Sequence, residues 1–268
     1  MRNLVLLMGH CHTGSRFLTK LLHAAGMELG NEECGWVGCT PGQEHPLLSQ
    51  IGNTLYREIA GIAPHTPKED RLALLRTVLN DYRRQADLNN WNVFGVKNNF
   101  FIDPKVWDII SPILFEIWND VKIIITIRHP VDVHKTIGIS DWTLDTTITS
   151  FTRTFELTKN LVGGGKAKLI VYPDTFLNTN NIKELVEWTG LEWKPEFGYL
   201  FDEKEVTNRV TKEEKIEFAR LYPDAAWEYK ELCSLASEKK EALNEDFVDI
   251  KSPKKKVLAK GRKKSGNK

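Results

Sequence analysis

Cysteine is scarce in this sequence, which carries four cysteines in 268 residues. So few cysteines cannot form a dense disulfide framework, and a chain of this length does not need one, so we expect reduced thiols. Cys34 and Cys39 lie five residues apart, with His10 and His12 upstream, a pattern that would suit a metal or a disulfide. Because zinc ligands usually come in tight pairs and no second pair follows, we expect no metal site.

Long apolar segments are also missing from the sequence. No stretch approaches the ~20 apolar residues that a membrane-spanning helix requires. The apolar run Leu4–Met8 is too short for the core of a signal peptide, and it leads directly into a glycine-rich turn. The sequence therefore predicts no transmembrane segment and a protein that acts in the cytoplasm.

The formal net charge of +1 conceals an asymmetry along the chain. Residues 251–268 hold nine of the 37 basic residues and no acidic one, which leaves 28 basic against 36 acidic residues elsewhere. Residues 1–250 thus have a net charge near −8, and a domain of that charge is not expected to bind nucleic acids in general. We predict one α/β domain over residues 1–250 and a disordered basic tail over 251–268, with binding of the tail to polyanions as the alternative.

Short apolar segments alternate with helical patterns along the chain. Four segments are predicted to be buried strands: Leu4–Met8, Asn92–Lys97, Val121–Ile127 and Lys168–Tyr172. Helical spacing of apolar residues predicts helices at 16–25, 47–62, 68–87, 104–118, 145–162 and 182–189. The fourth of these helices is expected to be interrupted near Pro112. The alternation predicts an α/β fold of three layers, with a central parallel sheet and helices on both faces.

The segment after the first strand, Gly9–Arg16, has the composition of an anion-binding loop. A strand, a glycine-containing turn and a helix start together present backbone N–H groups and a helix N-terminus to an anion. Gly9 and Gly14 have the spacing found in nucleoside-triphosphatases, but Ser15 and Arg16 stand where that loop requires Lys and then Ser or Thr. The segment predicts a phosphate site and gives little support to nucleoside-triphosphate chemistry.

A second candidate phosphate site follows the third predicted strand. Arg128 comes directly after that strand, and Thr136 lies eight residues later in a predicted helix. A guanidinium and a hydroxyl in these positions can converge on one phosphate. Taken alone, the segment is equally consistent with an arginine in a surface salt bridge and an ordinary helical threonine.

The two loops together resemble those of the sulfotransferase family that uses 3′-phosphoadenosine 5′-phosphosulfate (PAPS). That family holds the 5′-phosphosulfate with Lys/Arg-Ser-Gly-Thr, to which His12–Ser15 is similar. It holds the 3′-phosphate with an Arg and a Ser that are separated by seven residues, to which Arg128 and Thr136 are similar. Further similar stretches follow in the same order: Phe94–Lys97, Leu169–Phe176 and Val186–Leu191.

The resemblance is greatest to the bacterial type of this family, and it implies both a fold and an activity. The implied fold is the P-loop NTPase-like sulfotransferase fold. The implied reaction moves a sulfuryl group from PAPS, as co-substrate, to a hydroxyl or amine of a small-molecule, lipid or glycan acceptor. No metal is required by the family's usual mechanism.

The resemblance assigns the nucleotide-binding roles residue by residue. The 5′-phosphosulfate would be held by Thr13, Gly14, Ser15 and Arg16. Phe17 falls where the family stacks an aromatic ring on adenine, although its place in an amphipathic helix equally fits a core residue.

At the other end of the nucleotide, Arg128 and Thr136 would hold the 3′-phosphate, with Thr136 keeping the hydroxyl of the family's Ser. His12 replaces the family's basic residue, which stabilises charge on the leaving phosphate. His12 would act when protonated or as a neutral donor, or Arg16 would supply the missing charge.

The proton acceptor is expected in the long glycine-rich loop after the first helix. Within it, 41–46 resembles a segment that bacterial relatives place opposite the phosphosulfate loop. This similarity makes Glu44 the first candidate for the general base and His45 the second, since a neutral imidazole suits that role near pH 7. Glu32 and Glu33 are weaker candidates.

Two further residues are candidates for contacts with the acceptor. Lys97, at the end of the second strand, is expected to point at the sulfuryl oxygens or the acceptor, and Trp36 is expected to line the acceptor pocket. Two other functions stay open from the sequence: a P-loop kinase that binds ATP–Mg²⁺, and a non-catalytic nucleotide-binding protein.

Overall fold

A four-stranded parallel sheet forms the centre of the protein. The structure is a computed structural model that describes residues 2–29, 46–59, 61, 67–137, 143–202, 206 and 209–237. Helices cover both faces of the sheet, so the predicted α/β fold with a central parallel sheet is confirmed. The proposed basic tail, 251–268, lies outside the described residues, and the domain boundary at residue 250 stays a prediction.

The strands lie where the sequence predicted them, each end within one residue. They are β1 Asn3–Gly9, β2 Val93–Lys97, β3 Asp120–Ile127 and β4 Ala167–Val171. Their order in the sheet is β2-β1-β3-β4, and every neighbouring pair is parallel. β1 and β3 therefore occupy the centre of the sheet.

Burial on both faces explains why the strands are continuously apolar. Along β1, Leu4, Leu6 and Met8 enter the core on one face, whereas Val5 and Leu7 enter the core on the other face. Successive side chains of a strand point to opposite faces, so a strand covered on both sides carries no polar alternation.

The helices follow the strands in the order expected of an α/β fold. Their bounds are α1 Ser15–Ala24, α2 Pro46–Ile59, α3 Lys68–Leu88, α4 Pro104–Ile117, α5 Pro130–Ile137, α6 Leu144–Gly163, α7 Thr179–Trp188, α8 Lys212–Leu221 and α9 Pro223–Ala236. Across the described part of the chain, no helix combines the length and the apolar character needed to cross a bilayer.

The predicted interruption of α4 near Pro112 is wrong, because the helix continues through this residue to Ile117. A proline inside a helix removes the hydrogen bond to the carbonyl four residues earlier, here that of Asp108. Both Pro112 and Asp108 are exposed, so water can satisfy that carbonyl. Trp107, Ile110 and Leu114 meanwhile hold the opposite face of α4 in the core.

The strand register brings the carboxyl ends of all four strands to one edge of the sheet. Leu7 of β1 pairs with Lys97 of β2, and Gly9 of β1 pairs with Thr126 of β3. Ile127 pairs in turn with Val171 of β4. The residues that follow the four strands, including the two predicted phosphate loops, therefore meet along this edge.

We predict that Pro112→Ala stabilises the protein by about 1–3 kcal/mol, because it restores a backbone hydrogen bond in the interior of an exposed helix face. Thermal or urea unfolding measures this change. Pro104→Ala is the matched control, since Pro104 is the first residue of the same helix, where no N–H is needed. Equal stabilisation by both substitutions would contradict the explanation.

Candidate functional site

The glycine-rich loop after β1 ends at the N-terminus of α1. Gly14 is the N-cap residue, and no side chain caps the helix there. The first N–H groups of a helix have no acceptor within the helix, and the helix dipole places partial positive charge on them. α1 therefore offers the backbone donors that an anion requires.

Only glycine fits at position 14 of this loop. Its φ of +83° lies in the left-handed region, and a Cβ atom there would be 2.2 Å from Cδ2 of Tyr172. Tyr172 follows β4, so the loop packs directly against the end of the fourth strand.

Thr13 shapes the loop from inside. Its side chain is 1% exposed and donates a hydrogen bond to the carbonyl oxygen of His10 at 2.7 Å. Its Oγ1 also lies 2.7 Å from Oγ1 of Thr126 in β3. Because one hydroxyl donates only one hydrogen, Thr126 donates to Thr13 in this pair. The Thr13 side chain is thus used within the fold, and its predicted contact with the phosphosulfate would come from the backbone.

Arg128 brings the second predicted phosphate site to the first. It is 4% exposed, and its Nη1 lies 3.4 Å from both the carbonyl oxygen of His12 and Oγ1 of Thr136. Its Nε lies 3.5 Å from Oδ2 of Asp132, a buried ion pair. The hydroxyl of Thr136 donates to the carbonyl of Asp132 at 2.7 Å, so its oxygen accepts from Arg128. The two loops are in direct contact.

The site is electropositive, and this affects His12. Desolvation, followed by the positive charges of Arg16 and Arg128, lowers the pKa of His12 below its usual value. His12 adopts a left-handed backbone with φ of 62° at the exposed rim of the loop. Without a bound anion, the imidazole is therefore mostly neutral at pH 7, and Arg16 is the exposed cation next to it.

Phe17 belongs to an aromatic cluster beside the loop. Its ring meets Phe176 edge-on at 4.9 Å and Phe201 at 5.4 Å between centroids. Tyr172 contacts Phe176 and Phe201 in the same cluster, and the guanidinium of Arg128 lies 5.3 Å from the centre of the Tyr172 ring. Phe17 is half-buried, so it packs against the core and also presents part of its surface beside the loop.

Of the remaining predicted residues, the structure describes Ser15 and Lys97. Ser15 is 4% exposed at the start of α1. Lys97 is 3% exposed at the end of β2, opposite Leu7, so its predicted contact with a ligand stays a prediction. The other candidates lie outside the described residues: Glu32, Glu33, Cys34, Trp36, Cys39, Glu44 and His45.

A cavity of about 350 Å³ beside the two loops was not predicted from the sequence. Its walls include His10 from the glycine loop, Tyr56 from α2, Phe100 after β2, Arg128 after β3 and Phe151 from α6. These residues come from five separate segments of the chain, so no single sequence motif could have predicted the cavity.

Tyr172 was also missed, although the rule that ligands bind at strand ends applies to it as well. Among the described residues, no three His, Cys, Asp or Glu side chains are grouped closely enough to hold a metal ion. Cys11 and Cys233 do not form disulfides.

We predict that Gly14→Ala lowers the free energy of unfolding by about 2 kcal/mol or more, because it combines a left-handed backbone with a clash against Tyr172. Gly163→Ala is the control: Gly163 is the last residue of α6 and has open space around it. Urea unfolding should show a change within about 1 kcal/mol for the control. A Gly14→Ala protein as stable as the wild type would contradict the close packing of loop and strand end.

Comparison with known proteins gives a distant structural likeness. No family model and no curated protein sequence matches the chain. A sulfotransferase domain from the Synechococcus PCC 7002 olefin synthase is similar at a TM-score of 0.45 and 11% identity, covering 78% of this chain and 81% of that one. A sugar kinase from Janibacter sp. HTCC2649 is similar at a TM-score of 0.41 and 13% identity, covering 75% and 99%. Because both TM-scores are below 0.5, any function proposed for this chain depends on its own site.

Proposed function

We propose that the protein is a sulfotransferase that transfers the sulfuryl group of PAPS to a hydroxyl or amine of a small-molecule, lipid or glycan acceptor. The observation that carries the proposal is the contact between the two strand-end loops, in which Nη1 of Arg128 lies 3.4 Å from the carbonyl oxygen of His12. Two groups suited to phosphate, a helix N-terminus and a buried arginine, therefore lie in one site.

The residues present fit a nucleotide with phosphates at both ends of its ribose. The N-terminus of α1, with Gly14, Ser15 and the exposed Arg16, would hold the 5′-phosphosulfate. Arg128 and Thr136 would hold the 3′-phosphate. Phe17, in the aromatic cluster beside the loop, would contact the adenine.

Each residue would contribute to the chemistry by charge and position. When bound, PAPS supplies the activated sulfuryl group. The backbone donors of α1 and the cation of Arg16 would stabilise negative charge on the leaving phosphate. Lys97 would bind the sulfuryl oxygens or the acceptor, and a base would take the proton of the acceptor, a contribution of about 10²–10⁴-fold.

One observation favours a second candidate function, a nucleotide-binding protein without catalytic activity. The lowered pKa of His12 leaves a neutral imidazole where the sulfotransferases that the chain resembles have a Lys or Arg. A neutral group stabilises a leaving phosphate less than a cation does. Binding of the nucleotide without turnover of any acceptor would support this candidate.

We predict that Arg128→Lys weakens binding of adenosine 3′,5′-bisphosphate, the product nucleotide, by roughly 10- to 100-fold, because an ammonium cannot replace the guanidinium fork. Binding of adenosine 5′-monophosphate should change by less than about 3-fold, since it lacks the 3′-phosphate. Isothermal titration calorimetry measures both affinities. Arg84→Lys, in an exposed ion pair on α3, is the control and should bind both nucleotides like the wild type.

Equal weakening of both nucleotides in Arg128→Lys would contradict the 3′-phosphate assignment. Failure of the wild-type protein to bind the bisphosphate would overturn the proposed function as a whole.

We also predict that binding of the bisphosphate is linked to protonation of His12. A bound anion raises the pKa of His12 from its lowered value, so the protonated form binds more tightly. The affinity of the wild type relative to His12→Asn should be near one at about pH 8 and should rise as the pH falls through the pKa of the complex. Asparagine tolerates the left-handed backbone at position 12. A ratio that stays constant from about pH 8 to pH 5 would show that His12 does not contact the phosphate.

A further inference from the structure

One polar side chain lies among the buried residues at the end of β3. Thr126 is 0% exposed, and its neighbours in the strand, Ile125 and Ile127, are buried and apolar. Valine has nearly the same shape as threonine, and burial of a hydroxyl costs free energy unless a hydrogen bond satisfies it. The hydroxyl of Thr126 is therefore stable in this position only with a partner inside the protein.

That partner is the hydroxyl of Thr13 in the glycine loop. The two Oγ1 atoms lie 2.7 Å apart, whereas Oγ1 of Thr126 lies 3.4 Å from the carbonyl oxygen of Met8 in β1. Thr13 donates its only hydroxyl hydrogen to the carbonyl oxygen of His10 at 2.7 Å, so Thr126 is the donor in the short contact. The hydrogen bonds thus run in one direction, from β3 through Thr13 to the backbone of the loop.

The hydroxyl pair occupies space that Gly9 leaves open. Gly9 lies opposite Thr126 in the register of the sheet. A Cβ atom on Gly9 would lie 2.4 Å from Oγ1 of Thr126, 2.5 Å from its carbonyl oxygen and 3.1 Å from Oγ1 of Thr13. The first glycine of the loop therefore makes room for the contact between the loop and β3.

The ring of His10 anchors the same turn to a helix. Its Nε2 lies 2.9 Å from Oγ1 of Thr154, and its Nδ1 lies 3.3 Å from Oγ of Ser150, both on α6. Both ring nitrogens are therefore used within the fold. The two ends of the turn are tied to α6 and β3, whereas Cys11 and His12 between them are exposed.

The position of Thr13 affects where the backbone donors of α1 lie. Thr13 directly precedes Gly14, the N-cap residue, and Ser15 is the first residue of the helix. An N–H group binds a phosphate oxygen well only within a narrow range of distances and angles. A displacement of Thr13 would therefore move the first donors of α1 out of that range.

We infer that Thr126 is a positioning residue for the anion-binding loop: through Thr13, its hydroxyl holds the donors at the start of α1 in the geometry that binds the 5′-phosphate of the nucleotide. The inference rests on the proposed function, because it concerns the loop that would hold the 5′-phosphosulfate. Thr126 is fully buried beneath the loop, so it acts through Thr13.

Two substitutions at position 126 isolate the hydroxyl. Thr126→Ser and Thr126→Ala both remove the methyl group, and they differ from each other in the hydroxyl alone. Adenosine 3′,5′-bisphosphate and adenosine 3′-monophosphate differ in turn by the 5′-phosphate, so the ratio of their affinities measures what the 5′-phosphate contributes to binding. Isothermal titration calorimetry measures both affinities.

The loss of the hydroxyl should affect the bisphosphate selectively. Thr126→Ala should lower the affinity ratio by about 5- to 20-fold, because the loop loses the hydrogen bond that positions it. Thr126→Ser should keep the wild-type ratio within about 3-fold. Thr126→Val, a second variant without the hydroxyl, should lower the ratio as Thr126→Ala does.

A threonine at the opposite edge of the sheet provides the matched control. Thr189 is 0% exposed at the end of α7, and its hydroxyl donates to the carbonyl of Val186 at 2.6 Å. The next residue, Gly190, lies beside Asn3 at the start of β1. Thr189→Ala and Thr126→Ala should each lower the midpoint of thermal unfolding by about 2–8 °C, but Thr189→Ala should keep the wild-type affinity ratio.

The possible outcomes separate this inference from the function on which it rests. Equal affinity ratios in Thr126→Ala and Thr126→Ser would overturn the positioning role and leave the nucleotide site intact. An equal fall of the ratio in Thr189→Ala would also overturn it, because lost stability would then explain the effect. A wild-type protein that binds neither nucleotide would overturn the proposed function and this inference with it.

Discussion

The buried guanidinium of Arg128 is the interaction on which the geometry of the site depends. A charge with so little contact with water is stable only when other groups satisfy it, and Asp132 and Thr136 do so from the helix that follows it, α5. The same side chain donates to the carbonyl of His12 and lies against the ring of Tyr172. Arg128 therefore joins the ends of three strands, β1, β3 and β4, in one structure.

The sheet separates the aromatic cluster of Phe17 from most of the cavity wall. The aromatic cluster of Phe17 packs against the core on the face covered by α1 and α7, and the cavity borders the core on the face of α4 and α6 through Ile102 and Phe151. The glycine loop lies at the edge between them. The proposed transfer would thus occur at this edge of the sheet. Because Gly14 is the N-cap residue of α1, the N-terminal donors of this helix lie at the glycine loop.

Much of the fold could be predicted from the sequence, since two-sided burial and β-branched residues mark the strands and a glycine after β1 marks the loop. The contact between Arg128 and the glycine loop followed from the rule that carboxyl ends of parallel strands share an edge. The cavity could not be predicted, because its walls come from separate segments that only tertiary packing brings together. The position of His10 on the cavity wall depends on hydrogen bonds to α6, about 140 residues away in the chain. Pro112 misled the prediction because propensity alone does not include the packing that holds α4 together.

A crystal structure of the complex with adenosine 3′,5′-bisphosphate tests the central claim most directly. The account predicts one nucleotide that spans both loops, with an oxygen of its 3′-phosphate about 3 Å from the guanidinium of Arg128 and its 5′-phosphate on the N–H groups at the start of α1. A nucleotide bound elsewhere, or one whose 3′-phosphate points into solvent away from Arg128, would contradict it.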